Sequence, residues 1–269
     1  PCVGIGLAVM NPETPFWLFL VLAFSAGFGG GDFSSFMPST SLFFPKRLQG
    51  TALGIQAGLG NFGVSLVQFL APWLIGFAAL GSLAGAPQLI TKGAASRSIW
   101  LQNAAFVWIP FLIVLGLVSF LWLRRLPVRA SFREQLDIFK NKHTWFCTVT
   151  YVMTFGSFSG LSAAFPLMIK EVYGKFPGAP DPLQYAFYGP LIGSAMRVLF
   201  GFISDRTGGA ILTHFAGLGL IVCSLVMAFA GLLTPTSLDS FGYFVVLMLL
   251  MFLFTGIGNA STFRQYPII

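Results

Sequence analysis

Long apolar runs separated by short polar breaks fill the chain from end to end. A helix that crosses the hydrocarbon layer of a membrane needs about 20 mostly apolar residues. Seven runs reach that length, and residues 1–10 have the character of the end of a further helix. The pattern therefore predicts an all-α membrane protein. Its full spans are expected at residues 15–44, 51–80, 99–124, 144–170, 183–204, 209–234 and 241–263.

The composition agrees with a membrane protein. Hydrophobic residues make up 56% of the 269 residues and charged residues only 9%, against about 25% charged residues in soluble domains. The mean hydropathy is +0.82. So few charges cannot cover a water-exposed surface, so a soluble domain is excluded and the lipid bilayer is the expected surrounding.

The 15 lysine and arginine residues set the orientation, because short cytoplasmic loops are rich in both. Ten fall on one side of the predicted spans and four on the other. The richer side is expected to face the cytoplasm, which predicts a multi-pass protein of the cytoplasmic (inner) membrane. The basic residues lie in loops and not in an aromatic-lined groove, so nucleic acid is not expected as a partner despite the net charge of +7.

The cytoplasmic connection at residues 125–143 divides the spans into two groups. Residues 1–124 are expected to belong to an N-terminal transmembrane bundle and residues 144–269 to a C-terminal one. Residues 131–134, SFRE, have the spacing of a capping box before an apolar segment, which predicts a short amphipathic helix on the membrane surface.

The outer connections at 81–98 and 170–182 are interpreted as plain loops. The chain begins without an initiator methionine inside one apolar run and ends just after another, so it is expected to be a piece of a longer protein.

Residue patterns that support catalysis or metal binding are absent from the sequence. The three cysteines lie in apolar stretches without CxxC spacing and are interpreted as small buried hydrophobic residues. There is no HExxH motif, no metal-ligand cluster and no Ser/His/Asp set at one depth. Neither an enzyme, nor a metal site, nor a cofactor is expected.

Arg197 is the one lysine or arginine in the interior of a predicted span, and a charge within a membrane marks a functional site by default. One interpretation is a structural ion pair with Asp32, the only acid within the spans. The other is a ligand for a small inorganic anion. A guanidinium stays ionised and presents a planar fork of donors that matches a planar oxyanion. A pocket with so few carboxylates would attract anions, which favours the second interpretation.

Polar and aromatic residues of four spans lie near the depth of Arg197, close to the membrane midplane where transporters place their substrate sites. At about 1.5 Å of rise per residue, all of them lie about 10 to 20 Å from the cytoplasmic ends of their spans. Asn61 is either an anion ligand or a link between helices. The sequence leaves the role of Asp32 open, and on composition alone most phenylalanines are core or lipid-facing. The set comprises Asp32, Phe33, Asn61, Tyr151, Phe155 and Arg197.

Glycines cluster in three spans. Small residues let membrane helices approach closely, and no GxxxxGK[ST] motif is present, so a phosphate-binding loop is not expected. The glycines predicted to pack helices together are Gly58, Gly60, Gly63, Gly256 and Gly258.

Several segments together resemble a known family. FFPKRLQGTALGI at 43–55 and GFISDRTGG at 201–209 resemble the cytoplasmic loop motifs of the major facilitator superfamily. AGLGNFGVSLVQ at 57–68 is similar to the first nitrate signature of the nitrate/nitrite porter (NarK-type) family. YVMTFGSFSG, QYAFYGPLIGSAMR and FTGIGNASTF resemble that family's seventh, eighth and tenth helices, so the resemblance covers nearly the whole chain.

The resemblance implies an incomplete major facilitator fold, from the end of helix 3 through helix 10 of twelve. It implies a nitrate or nitrite site between two arginines, of which Arg197 is one and the other lies outside this chain. By the same resemblance the remaining substrate-binding residues are Asn61, Tyr151, Phe155 and Phe33. The cytoplasmic motif, which is expected to act in conformational change, comprises Asp205, Arg206, Gly208 and Gly209.

Two departures accompany the resemblance: Asp32 stands where an uncharged residue is expected, and RQYPII after Phe263 differs from the family's continuation. The expected function is secondary transport of nitrate and/or nitrite by alternating access, through exchange or proton symport, by a monomer. The alternatives are transport of another small anion and a truncated membrane fragment that does not transport.

Overall fold

The computed structural model describes residues 1–81, 85–92, 95–123, 131 and 136–266. In this part of the chain seven helices are long and apolar enough to cross a membrane. The predicted all-α membrane fold is thereby confirmed. The spans are Phe16–Phe43, Lys46–Leu74, Asn103–Trp122, Lys142–Tyr173, Pro182–Thr207, Gly209–Phe229 and Leu238–Gln265.

Ten α-helices are found in the described residues. They are α1 (Cys2–Met10), α2 (Phe16–Phe43), α3 (Gln49–Leu74), α4 (Asn103–Phe106), α5 (Ile109–Trp122), α6 (Lys142–Tyr151), α7 (Ser157–Met168), α8 (Tyr188–Thr207), α9 (Gly209–Phe229) and α10 (Phe241–Gln265). Two π-helical turns flank α7, at Val152–Gly156 and Ile169–Tyr173. Short 3-10 helices lie at Lys46–Leu48, Leu136–Lys140, Pro182–Gln184 and Leu238–Ser240.

The outer connection at 81–98 contains a β-hairpin, so the prediction of a plain loop there was wrong. Strands β1 (Gln88–Lys92) and β2 (Ala95–Ile99) pair antiparallel, with Gln88 opposite Ile99 and Ile90 opposite Arg97. Ile90, Thr91 and Ile99 are β-branched residues that favour strands. The Gln88 side chain also donates to Gln102 Oε1 at 2.8 Å, which links the hairpin to the chain before α4.

The connection at residues 125–143, which is predicted to be cytoplasmic, is described only in part. Residues 132–135, which include most of the predicted capping box, lie outside the described residues. Leu136–Lys140 forms a 3-10 helix with exposed Leu136, Ile138 and Phe139 side chains. The amphipathic surface helix therefore stays a prediction.

One of two compact units comprises residues 1–37 and 70–128. Here α1 packs on α4, and a Cβ at Gly6 would run into the Phe106 ring. Asn103 at the start of α4 donates from Nδ2 to Leu74 O at 3.1 Å and to Phe77 O at 2.8 Å. These bonds satisfy one carbonyl at the end of α3 and one just beyond it.

The other unit comprises residues 38–69 and 129–269. Helix α10 packs against both α8 and α9. The core of this unit is an aromatic and aliphatic cluster around α7 and α10. The buried members are Phe158, Phe165, Ile169, Tyr173, Met227, Leu232, Phe244, Met248 and Phe252. The two bundles predicted at 1–124 and 144–269 remain a prediction.

Candidate anion-binding site

Helix α8 carries Arg197 on the face that it buries in the protein. The buried residues recur every three or four positions, which is the spacing of one helix face. Most of them are small, so neighbouring helices approach α8 closely on either side of Arg197. Arg197 therefore faces protein and not lipid. The buried face comprises Gly189, Pro190, Gly193, Ser194, Arg197, Gly201 and Ser204.

The Arg197 guanidinium is buried without a hydrogen-bond partner. The residue is 0% exposed, and Nε, Nη1 and Nη2 meet no acceptor among the residues that the structure describes. Burying an unpaired ion costs several kcal/mol, and almost all buried polar groups in native proteins are hydrogen-bonded. The side chain of the alternative partner, Asp32, lies outside what the structure describes, so an ion pair with it is not tested.

The Arg197 guanidinium lies over two aromatic rings. Its Cζ lies 3.9 Å from the centroid of the Phe158 ring and 5.6 Å from that of Phe155. The two rings are themselves stacked, with centroids 6.3 Å apart. A cation over an aromatic face in a desolvated site gains about 2 kcal/mol. A guanidinium that stacks on a ring through its face keeps its in-plane N–H groups available to an oxyanion.

Tyr151 extends this aromatic wall toward the start of α6. Its ring stacks on Phe155, with centroids 5.2 Å apart and an interplanar angle of 16°. It also contacts Phe263 and Tyr266 at 6.1 and 6.3 Å. The structure thus brings together the predicted residues Arg197, Phe155 and Tyr151, while their role as ligands remains a prediction.

Glycines bring α3 against the backbone of α8. A Cβ on Gly54 would lie 2.8 Å from Arg197 O and 3.0 Å from Gly201 Cα. On Gly58 it would lie 2.9 Å from Ser194 O. Higher numbers on α3 face lower numbers on α8, so the helices are antiparallel and Arg197 lies level with the stretch between the two glycines.

Asn61 lies one turn beyond Gly58 on α3. Its Nδ2 donates to Ala57 O of the same helix at 2.8 Å, so the structure gives this amide a partner within α3. A Cβ on Gly60 or Gly63 would meet nothing within 4 Å among the described residues. A packing role for these two glycines, like the ligand role of Asn61, stays a prediction.

Gly256 and Gly258 line two sides of α10. A Cβ on Gly256 would run into the carbonyl oxygen of Gly193 on α8. On Gly258 it would lie 2.6 Å from Thr154 Cγ2, in the π-turn after α6, and 3.1 Å from Ala216 Cβ on α9. Both glycines lie where other helices come too close for a side chain.

Asp205 joins three helix ends at the side predicted to face the cytoplasm. Its carboxylate accepts from Gly50 N at 2.9 Å, and from Thr51 N and Oγ1 at 2.7 Å each, at the start of α3. Arg264 near the end of α10 lies 3.2 Å from Asp205 Oδ1 and also donates to Lys46 O at 2.9 Å. The side chains of Arg264 and Asp205 are only 17% and 7% exposed.

Gly208 alone connects α8 to α9. Its φ of 82° with ψ of 151° belongs to a region that only glycine adopts without strain. Gly209 begins α9, and a Cβ there would run into Ser261 O on α10. Arg206, the fourth residue of the predicted motif, has an exposed side chain.

Phe33 is a half-buried residue of α2 and belongs to the first unit. Its predicted contact with substrate stays a prediction.

Sequence reasoning missed four residues of this region. The ring of Phe158 lies closer to the guanidinium than that of Phe155, and Arg264 pairs with Asp205. Ser194 Oγ and both amide atoms of Asn259 are buried without a hydrogen-bond partner in the described structure. Phe158 and Asn259 stand inside segments already set apart by the family resemblance, which was the available signal.

Seven apolar helices with a buried, unpartnered arginine beside an aromatic wall define a class: a multi-pass α-helical protein of the cell membrane with a cationic interior site. A sequence model of the Major Facilitator Superfamily matches residues 2–267. The chain belongs to the Major Facilitator Superfamily.

The chain is also similar to curated proteins of the NarK type, as the sequence motifs predicted. It is 61% identical over 270 residues to the probable nitrate/nitrite antiporter NarK2 of Thermus thermophilus, covering 100% of this chain and 60% of that protein. It is 38% identical over 275 residues to the nitrate/nitrite transporter NarU of Escherichia coli (strain K12), covering 100% and 56%. A nitrite extrusion protein of Bacillus subtilis (strain 168) is 24% identical over 248 residues, covering 91% and 54%.

The chain therefore spans 54% to 60% of the length of these relatives. The alignment with NarK2 covers all of this chain, including the six residues after Phe263 that were expected to depart from the family.

Proposed function

We propose that this chain is part of a secondary transporter that moves nitrate and/or nitrite across the cell membrane by alternating access. One observation carries the proposal: the Arg197 guanidinium is buried, stacked on Phe158, and has three nitrogens without a partner in the described residues. A small planar oxyanion supplies what this group lacks, because two of its oxygens can accept parallel hydrogen bonds from the guanidinium edge.

Each residue near Arg197 has a distinct part in the proposed site. The guanidinium edge binds the anion, and Phe155 and Phe158 hold the plane of the fork. Tyr151 closes the site toward the cytoplasm and can donate its hydroxyl. Asn61 and Phe33 enter as ligands on the strength of the family resemblance, together with a second arginine outside this chain.

Exchange of nitrate against nitrite is the favoured coupling. Asp32 is the only carboxylate within the predicted spans, so a relay of protons has few candidates. The Thermus thermophilus relative carries the name of a probable antiporter. A nitrate gradient should therefore drive faster uptake when nitrite is present inside proteoliposomes than when it is absent.

Uptake of labelled nitrate into proteoliposomes that hold the full-length protein tests the site. Arg197→Lys keeps the charge and removes the planar fork, so one charge-assisted bond of about 1.5 to 3 kcal/mol is lost and nitrate affinity should fall about 10- to 150-fold. Arg97→Lys makes the same exchange at an exposed residue of strand β2 and should transport normally. Wild-type affinity in Arg197→Lys would contradict the bidentate role.

Competition by chlorate, formate and chloride separates this function from transport of another small anion. Nitrate and nitrite should compete best. If chloride competed equally, the proposed preference for planar oxyanions would be wrong.

A further inference from the structure

Helix α10 holds a second polar group that is buried and unsatisfied. Asn259 is 0% exposed, and both its Oδ1 and its Nδ2 lack a hydrogen-bond partner among the described residues. An unpaired buried amide is costly and rare in native proteins. A binding role for Asn259 is given neither by the sequence motifs nor by the relatives.

Its neighbours on α10 show that this is not a general property of the helix. The buried hydroxyls of Thr255, Ser261 and Thr262 each donate to a carbonyl three residues earlier, at 2.7, 2.9 and 2.9 Å. Asn61 on α3 satisfies its own amide in a similar way, four residues back. Asn259 could likewise donate to a carbonyl of its own helix, but its amide makes no such bond.

The packing of α10 on α8 places Asn259 at the level of Arg197. A Cβ on Gly189 of α8 would run into the Phe252 ring of α10. Four residues further along each helix, Gly193 contacts Gly256. Because the residue numbers increase together, the two helices are parallel. Arg197 lies four residues beyond its contact glycine and Asn259 three residues beyond, which is about 6 and 4.5 Å along the two axes.

The face of α10 that carries Asn259 is the face that meets the aromatic wall. At 100° per residue, Phe252, Asn259 and Phe263 lie within about 40° of one another around the helix. Phe252 contacts Phe158 with ring centroids 6.0 Å apart, and Phe263 contacts Tyr151 at 6.1 Å. Asn259 lies between these two contacts along α10, so it is on the face of the helix that packs against the aromatic wall.

We infer that Asn259 is an additional ligand that distinguishes nitrate from nitrite. This inference rests on the proposed function. Nitrate has three oxygens in one plane, and the guanidinium fork engages two of them. The third oxygen points away from the fork and accepts from Asn259 Nδ2. Nitrite has only two oxygens, both engaged by the fork, and gains little from the amide.

The test compares nitrate and nitrite uptake by the full-length protein in proteoliposomes. Asn259→Leu removes the donor at similar volume, so the KM for nitrate should rise about tenfold, which corresponds to about 1.4 kcal/mol, while the KM for nitrite changes less than about threefold. Thr255→Val is the matched control, because it removes a buried hydroxyl of α10 that is already satisfied within the helix. Its ratio of nitrate to nitrite KM should equal that of the wild type.

Asn259→Asp provides a second variant of unchanged shape. A carboxylate at this position would repel anions, so uptake of both should fall at least tenfold in protein that remains monodisperse. Unchanged KM ratios in Asn259→Leu, or normal nitrate uptake by Asn259→Asp, would overturn the inference. If Arg197→Lys still lost uptake of both anions, the proposed function would stand without it; if the wild-type protein transported neither anion, the proposed function itself would fail.

Discussion

The network around Asp205 should contribute measurably to the free energy of unfolding. Asp205→Asn keeps the shape of the side chain but replaces one oxygen with an amide that cannot accept. Either Gly50 N or the Thr51 N–H then loses its acceptor, and the ion pair with Arg264 becomes a neutral contact. This perturbation isolates the charge from the packing.

The expected magnitude follows from the geometry. A hydrogen bond to a charged group contributes about 1.5 to 3 kcal/mol, and a carboxylate at a helix N-terminus about 0.3 to 1 kcal/mol more. Because the Asp205 side chain is only 7% exposed, solvent screens these terms weakly. Asp205→Asn should therefore lower the free energy of unfolding by about 2 to 4 kcal/mol.

Thermal unfolding of the purified protein in detergent measures this loss. The control is Asp137→Asn, which removes the same charge from an ion pair with Lys140. The side chains of Lys140 and Asp137 are 82% and 64% exposed. Exposed pairs contribute about 0 to 1 kcal/mol, so the control should unfold near the wild-type temperature. A double-mutant cycle of Asp205→Asn with Arg264→Gln should show coupling of about 0.5 to 3 kcal/mol. Equal melting of the two aspartate variants, or additive effects in the cycle, would refute the reasoning.

Two further predictions concern glycines. Gly54→Ala brings a Cβ to 2.8 Å from a backbone oxygen of α8 that cannot move cheaply, so it should destabilise by about 1 to 3 kcal/mol, whereas Gly60→Ala should be neutral or slightly stabilising. Thermal unfolding of both variants tests this difference, and equal melting temperatures would contradict the close approach of α3 and α8. Gly208→Ala forces a side chain into a glycine-only conformation and should cost about 1 to 3 kcal/mol, while Gly242→Ala, which has open space and no positive φ, should not. A wild-type melting temperature for Gly208→Ala would mean that the α8–α9 corner is not held in this conformation.

The membrane spans and Arg197 could be predicted because both are local signals. The length of an apolar run sets a span, and a charge within a span is visible without knowledge of its neighbours. The hairpin at 88–99 was missed because two five-residue strands in an outer connection give little periodicity.

The other residues of the site depend on packing between helices that are distant in sequence. Phe158 is one of 31 phenylalanines, so the sequence does not single it out. Its ring reaches the guanidinium because residue 193 is a glycine; a Cβ there would lie 2.8 Å from the ring. The signal for Asn259 is the lack of a partner, which exists only in the folded chain. The sequence predicts only a loop charge at Arg264, because its contact with Asp205 joins residues that are far apart along the chain.

Under the proposed mechanism, the contact of α3 with α8 has to form and break. The two helices belong to different predicted bundles, and alternating access requires the bundles to part on one side of the membrane at a time. Their interface is suited to this, because Gly54, Gly58 and Gly201 have no side chain of their own and let the two helices approach closely. The hydrogen bonds between the two helices lie instead at the end predicted to face the cytoplasm, where Asp205 accepts from the start of α3. Opening toward the cytoplasm therefore has to break this cluster of charged hydrogen bonds, and the same Asp205→Asn change that lowers stability should favour the cytoplasm-open state.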